Sequence, residues 1–183
     1  MEALIKAASE PDYPAEIVGV FSNRADAGGV DIARASGVAT EIRSHKDYAS
    51  REDFDAAIDE ILNQWRVDIV CLAGFMRIFS DGFATRWTGR MINIHPSLLP
   101  RHKGLSPQQQ ALDAGDSETG CTVHWMTAEL DAGPGILQAR VPILPGDTAD
   151  ELSARILAEE HKLYPKALAL VANGSVVFTP SGR

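Results

Sequence analysis

"VDIVCLAG", residues 67–74, is the stretch that decides the architecture. It is short, β-branched and apolar apart from Asp68, the pattern of a strand covered on both faces in a parallel sheet. Just upstream, "SREDFDAAIDEILNQW" (50–65) sets Phe54, Ile58, Ile61, Leu62 and Trp65 on one helical face. Ser50 is placed to cap that helix, with Asp53 three residues on as a capping-box variant. Helix followed by buried strand is half of a βαβ unit, and the pattern repeats in both directions. Upstream, "EIVGVFS" (16–22) reads as a strand, "GVDIARASG" (29–37) as a short helix stopped by glycine, and "ATEI" (39–42) as another strand. Downstream come a short helix near 83–87, the strand "MINIH" (91–95) and a helix near 108–114. Two alternating strands follow, "CTVHWM" (121–126) and "GILQARVPIL" (135–144). Residues 149–174 read as a long helix that Pro165 kinks or restarts, and "SVVFTP" (175–180) as a last short strand. The alternation predicts one α/β domain over residues 1–183, an open, doubly wound, mostly parallel sheet with helices on both faces.

The totals fit a single globular domain. A chain of 183 residues buries about 70% of its unfolded surface. Apolar residues make up 45% and charged residues 23%, an ordinary globular balance. The net charge of −8, with acids spread along the chain, argues against nucleic-acid or anionic-membrane partners. No apolar run approaches the ~18 residues of a membrane span and no signal-peptide pattern opens the chain, so the expected location is cytoplasmic. Cys71 and Cys121 lie in apolar segments without ligand-like spacing and read as two buried thiols.

Polar residues in apolar places mark the candidate chemistry. In "MINIHPSLLP" (91–100), Asn93 and His95 lie two apart on a strand, so they project to one face. Pro96 cannot continue an interior ladder, which puts the pair at the carboxyl end of the strand, where open α/β sheets bind ligands. The pair can simply cap the strand, or Asn93 can donate to a developing oxyanion while the imidazole stabilises charge or relays a proton. Asp131, in "TAELDAGPGI", precedes a tight turn. It suits an Asx-turn, or a carboxylate that orients His95 or takes a proton through water. "AGFMRIFS" (73–80) suits a strand-to-helix connection, or a pocket wall whose backbone reads the edge of a flat heteroaromatic ring. His45, His102, His124 and His161 show no metal-ligand spacing, and His124, two residues from Thr122, can line the cleft. Ser97 lacks the glycine-flanked elbow of a serine hydrolase.

Taken together, "AGFMRI", "NIHPSLLP", "GCTVHWMTAELDAGPGILQ" and "EEHKLYP", in this order and spacing, resemble the phosphoribosylglycinamide formyltransferases, folate-dependent enzymes of purine synthesis. The resemblance runs from residue 1 to about residue 180 and includes "VFSNRADAGG". It implies a formyltransferase-like, Rossmann-related fold. The implied reaction is transfer of a formyl group from 10-formyltetrahydrofolate to the glycine amine of glycinamide ribonucleotide, without a metal. Asn93, His95 and Asp131 match the family's catalytic trio. Met76, Arg77, Ile78 and Phe79, with Asn93, Thr127, Ala128, Glu129, Leu130 and Asp131, match its folate-binding segments. Arg51 matches a folate-contacting arginine, and Glu160 a residue near the ribonucleotide. The implied partners are these two small molecules, and a homodimer is compatible with the resemblance.

Three departures shape the expectations. The family begins with a strand and a glycine-rich loop that holds the ribonucleotide phosphate, whereas "MEALI" corresponds to the helix after that loop. The expected domain is therefore shortened at its N-terminus, with two strands lacking a neighbour, and an inactive folate-binding remnant is an alternative. Gln108 stands where relatives usually have histidine, and Ala128 where an acidic residue is common. A formyltetrahydrofolate deformylase shares the Asn/His/Asp set but usually carries a further N-terminal domain and a different sequence at "AGFMR". A methionyl-tRNA formyltransferase would need a basic C-terminal RNA-binding domain.

Overall fold

The computed structural model describes residues 1–179 as an open α/β fold. In chain order the elements are α1 (Glu2–Ala8), β1 (Val20–Ser22), α2 (Gly28–Ala35), β2 (Thr40–Ile42), α3 (Arg51–Gln64) and β3 (Val70–Leu72). There follow α4 (Asp81–Arg86), β4 (Met91–His95), α5 (Pro107–Asp113), β5 (Glu118–Trp125), β6 (Gly135–Pro142) and α6 (Ala149–Ala172). Helix α3 starts where its capping residues place it. The Ser50 hydroxyl accepts the Asp53 amide at 3.0 Å and donates back to the Asp53 carboxylate at 2.8 Å. Its apolar face, Phe54, Ile58, Ile61 and Leu62, is buried.

The main sheet has the order β3-β4-β5-β6. β3 pairs with β4 in parallel, Leu72 beside Asn93. β4 pairs with β5 antiparallel, Asn93 opposite His124 and His95 opposite Thr122. β5 and β6 form a long antiparallel ribbon. β1 and β2 form a separate parallel pair. A cavity of about 450 Å³ lies between β1 and β3, lined by Ile17, Val20 and Phe21 on one side and Ile69, Val70 and Cys71 on the other. Val20 N–H bonds to Ala39 O and Val70 N–H to Arg90 O, both at 2.8 Å. Alternate residues of a strand address opposite neighbours, so Phe21 and Cys71 turn their backbone groups toward the cavity. Residues 16–22 and 67–74, read as whole strands, therefore pair over only three residues each.

Two apolar clusters flank the sheet. One joins Ile92, Val123, Trp125 and Val141 to Leu152, Ile156 and Leu168 of α6. The other packs Phe54, Ile58 and Leu62 of α3 against Leu72, Phe83 and Trp87. Buried Tyr164 ties them to the sheet, its hydroxyl directed at Leu72 O (2.9 Å) and Ile92 O (3.0 Å). Both cysteines are free thiols, Cys121 buried and Cys71 partly so. Two local expectations are corrected. Pro165 does not restart α6, which runs 24 residues through it as one helix. The capping box between Thr148 and Glu151 secures its start, and buried Leu163, Tyr164, Ala167 and Leu168 anchor both sides of the proline. The Pro165 carbonyl also accepts the Tyr13 hydroxyl at 2.6 Å. Residues 175–179 form no strand. Phe178 instead packs edge-on against Trp125, with ring centroids 5.9 Å apart. Pro180, the end of that stretch, lies outside the described residues.

Candidate active site

The register of β4 against β5 assembles the site. Asn93 and His95 point to one face near the end of β4, beside His124 and Thr122 of β5. The chain leaves β5 and returns at β6, and Asp131 occupies that turn in a left-handed backbone conformation (φ 48°). Aspartate tolerates this conformation better than most residues with a side chain. Asp131 is 5% exposed and His95 6%, so the pair meets in a shielded space.

Hydrogen bonds fix the protons. His95 Nε2 lies 2.9 Å from the carbonyl of His102, which can only accept, so Nε2 carries a hydrogen. His95 Nδ1 then faces Asp131 Oδ2 at 3.5 Å. The same Asp131 oxygen accepts the Gly104 amide at 3.0 Å. His124 Nδ1 donates to Trp125 O at 3.0 Å, leaving Nε2 to accept from the Asn93 amide nitrogen at 3.2 Å. Burial pushes the His124 imidazole below its ordinary value, against the bond to Trp125 O and the charge of Asp131, so this neutral tautomer persists at pH 7. Its Nε2 lies 3.7 Å from Asp131 Oδ1 and, being unprotonated, forms no ion pair there. Asn93 thus spends one N–H on His124 and keeps the other for a group in front of the strand. His124 is the site residue whose role sequence reading missed. Its alternating position was visible, but its pairing with Asn93 depends on the antiparallel register.

The other sequence-predicted residues divide. Met76 and Ile78 project as exposed apolar groups, 77% and 63% accessible, beyond the end of β3. Phe79 is committed to packing, stacked between Phe75 (4.9 Å) and Phe83 (4.5 Å), which leaves its backbone rather than its ring for a ligand. Arg77 sits over the Phe54 ring at 5.7 Å. The segment is held from behind, because buried Asp55 of α3 accepts the Ser80 amide at 2.6 Å. Asp59 of α3 similarly receives the Trp87 indole N–H at 2.9 Å. Thr127 Oγ1 donates to Glu129 O at 3.1 Å, shaping the turn on which Ala128, Glu129 and Leu130 are exposed. Arg51 is exposed on the first turn of α3. Glu160 is half-buried on α6, where burial raises its pKa against the pull of the Met1 ammonium. The 450 Å³ cavity reaches this sheet edge at Gly74, Phe75 and Phe79, while Asn93, His95 and Asp131 lie outside its lining.

A family model described as formyl transferase matches residues 1–168. The chain belongs to the formyl transferase family. It is 43% identical to the phosphoribosylglycinamide formyltransferase of Escherichia coli over 174 residues, covering 95% of this chain and 82% of that protein. It is 50% identical over its whole length to the trifunctional purine biosynthetic protein adenosine-3 of Bos taurus, of which it spans 18%. The formyl transferase fold seen here matches glycinamide ribonucleotide transformylase 1 of Symbiobacterium toebii with a TM-score of 0.95 at 47% identity. That match covers 98% of this chain and 84% of the other. The phosphoribosylglycinamide formyltransferase of Brucella melitensis matches with a TM-score of 0.91 at 52% identity, over 98% and 92% of the two chains.

Proposed function

We propose that this chain transfers a formyl group from 10-formyltetrahydrofolate to the amine of glycinamide ribonucleotide, a step of purine synthesis. The observation that carries the reading is the convergence of Asn93, His95 and Asp131, with the Asn93 amide oriented by neutral His124. When the amine attacks the formyl carbon, the carbonyl oxygen becomes an oxyanion. The free N–H of Asn93 is the donor suited to that charge, and the His95 imidazole, held between the His102 carbonyl and Asp131, lies beside it to relay a proton. Asp131, bonded to Gly104 N–H and facing His95, is the group that takes up the amine proton, directly or through water. The formyl carbon arrives already activated, so the reading assigns no metal.

The folate co-substrate fits the edge formed by residues 76–79 and 127–131. Exposed Met76, Ile78 and Leu130 offer apolar contact to a flat ring, and the backbone there offers donors and acceptors. Arg77, Thr127, Ala128 and Glu129 belong to the same wall, Arg51 to its outer rim, and Glu160 to the amine-acceptor side. The reading takes these two small molecules as partners, in a cytoplasmic protein. The test measures loss of 10-formyltetrahydrofolate with and without glycinamide ribonucleotide. Consumption only in the presence of the amine supports transfer, formate release without it supports hydrolysis, and no turnover in either case supports a binding protein.

A further inference from the structure

The segment 96–106 touches both halves of the His95–Asp131 pair. The His102 carbonyl receives His95 Nε2–H, and two residues later the Gly104 amide donates to Asp131. Whatever fixes residue 102 therefore aligns the imidazole and the carboxylate together. The ends of the segment have their own ties. The Ser97 hydroxyl donates to Arg101 O at 2.6 Å, and Leu99 N–H donates to Thr122 Oγ1 at 3.0 Å. The Gln110 amide bridges the carbonyls of Lys103 (3.0 Å) and Leu105 (2.9 Å). Residue 102 itself is left-handed, φ 53°, a conformation uncommon for a residue with a side chain. A side-chain contact holds it there. His102 Nε2 lies 2.7 Å from Asp116 Oδ2, the imidazole and carboxylate being 13% and 11% exposed. Asp116 sits between α5 and β5. Arg101 reaches its other oxygen from a largely exposed position.

We propose that Asp116 and His102 form a strut that positions the catalytic pair. The Asp116 carboxylate holds the His102 imidazole, the imidazole holds the left-handed backbone at 102, and that backbone presents its carbonyl to His95 and the following amide to Asp131. Neither residue touches the reacting atoms, so both are positioning residues. The proposal rests on the reading of His95 and Asp131 as the reacting pair. Misplacement by about 1 Å at a reacting group lowers rate by up to about a hundredfold. The strut therefore acts on turnover rather than on binding of either substrate.

The test uses His102→Asn, Asp116→Ala, Asp116→Asn and the double variant His102→Asn/Asp116→Ala in the full chain. Asparagine accepts the left-handed backbone but is too short to keep the bond to Asp116, which separates loss of the strut from backbone strain. His102→Asn and Asp116→Ala are expected to lower kcat roughly ten- to hundredfold with little change in either KM. The double variant is expected to be no worse than the weaker single variant. Asp116→Asn, which retains an oxygen for the His102 N–H, recovers most of the turnover, and Arg101→Ala stays near the parent. The imidazole nitrogen resonances of His95 should move in His102→Asn and Asp116→Ala. Unmoved resonances, losses that multiply in the double variant, or damage confined to KM would overturn the strut. If the parent protein shows no formyl transfer, the reaction assignment falls, while the His95 resonances still decide whether the strut exists.

Discussion

Replacing Asp55 is expected to loosen the wall proposed above for the folate co-substrate without touching the chemistry. The Asp55 carboxylate is 4% exposed and accepts the Ser80 amide at 2.6 Å, just where residues 74–79 enter α4. Ser80 is itself the N-cap of α4 and 9% exposed, so Asp55→Ala leaves a shielded N–H with no acceptor. Such a loss costs about 1–3 kcal/mol. For a chain of this length each kcal/mol moves Tm by roughly 2–4 °C, giving a fall of roughly 2–12 °C. Removing a buried charge offsets part of this, and Asp55→Asn separates the two effects because it keeps an acceptor while losing the charge. Its Tm is expected between those of the parent and the alanine variant. In steady-state assays Asp55→Ala should raise KM for 10-formyltetrahydrofolate several-fold and leave kcat and KM for the amine near the parent. Thermal melts and initial rates check both parts. An alanine variant that melts with the parent, or loses kcat at unchanged KM, would refute the idea that Asp55 holds this wall.

Other consequences are equally measurable. His124→Phe keeps the volume of a buried ring but removes the acceptor that orients Asn93. One neutral hydrogen bond is worth about 0.5–1.5 kcal/mol, so kcat should fall roughly two- to tenfold with KM unchanged. Asp147 is paired with Arg155 through two bonds of 2.7 and 2.8 Å and also accepts Leu144 N–H. Chiefly the Arg155 bond lowers its carboxyl from 3.8 to about 2. Its contribution is present above the unfolded value and is lost as pH falls from 3.8 toward 2. Urea midpoints of the parent and Asp147→Asn should differ at pH 5 and converge near pH 2. An extended apolar peptide of about six residues, added in trans, can pair with the cavity-facing edges of Phe21 and Cys71, which have no strand partner among the described residues. Each added hydrogen bond contributes about 1 kcal/mol, so thermal melts should show a rise in Tm, and an unchanged Tm would show that the edges stay unpaired.

The elements legible in the sequence were those whose determinants are local. The α3 cap is two side chains three residues apart, and the strand end at His95 is marked by Pro96. The limits of β1 and β3 were not legible, because a strand extends only as far as its partners and, among the described residues, each has none on the cavity side. Pro165 misled for a related reason. Its missing N–H is a local signal, while the packing that carries α6 through it involves distant strands. The site divides in the same way. Asn93, His95 and Asp131 stand out as polar groups in apolar or turn settings, and the family resemblance tied them together. Their supports do not stand out. His124 meets Asn93 across 31 residues, Asp55 meets Ser80 across 25, and Asp116 meets His102 across 14. Nothing in a single strand or helix pattern pairs them.

The central claim, that Asn93, His95 and Asp131 act together on a formyl group, is tested most directly by single-turnover transfer to glycinamide ribonucleotide in the parent and Asn93→Ala. One oxyanion donor is worth about 2.7–4 kcal/mol, so the rate should fall roughly 10²–10³-fold with the amine still required. A variant as fast as the parent, or a parent that releases formate equally well without the amine, would contradict it.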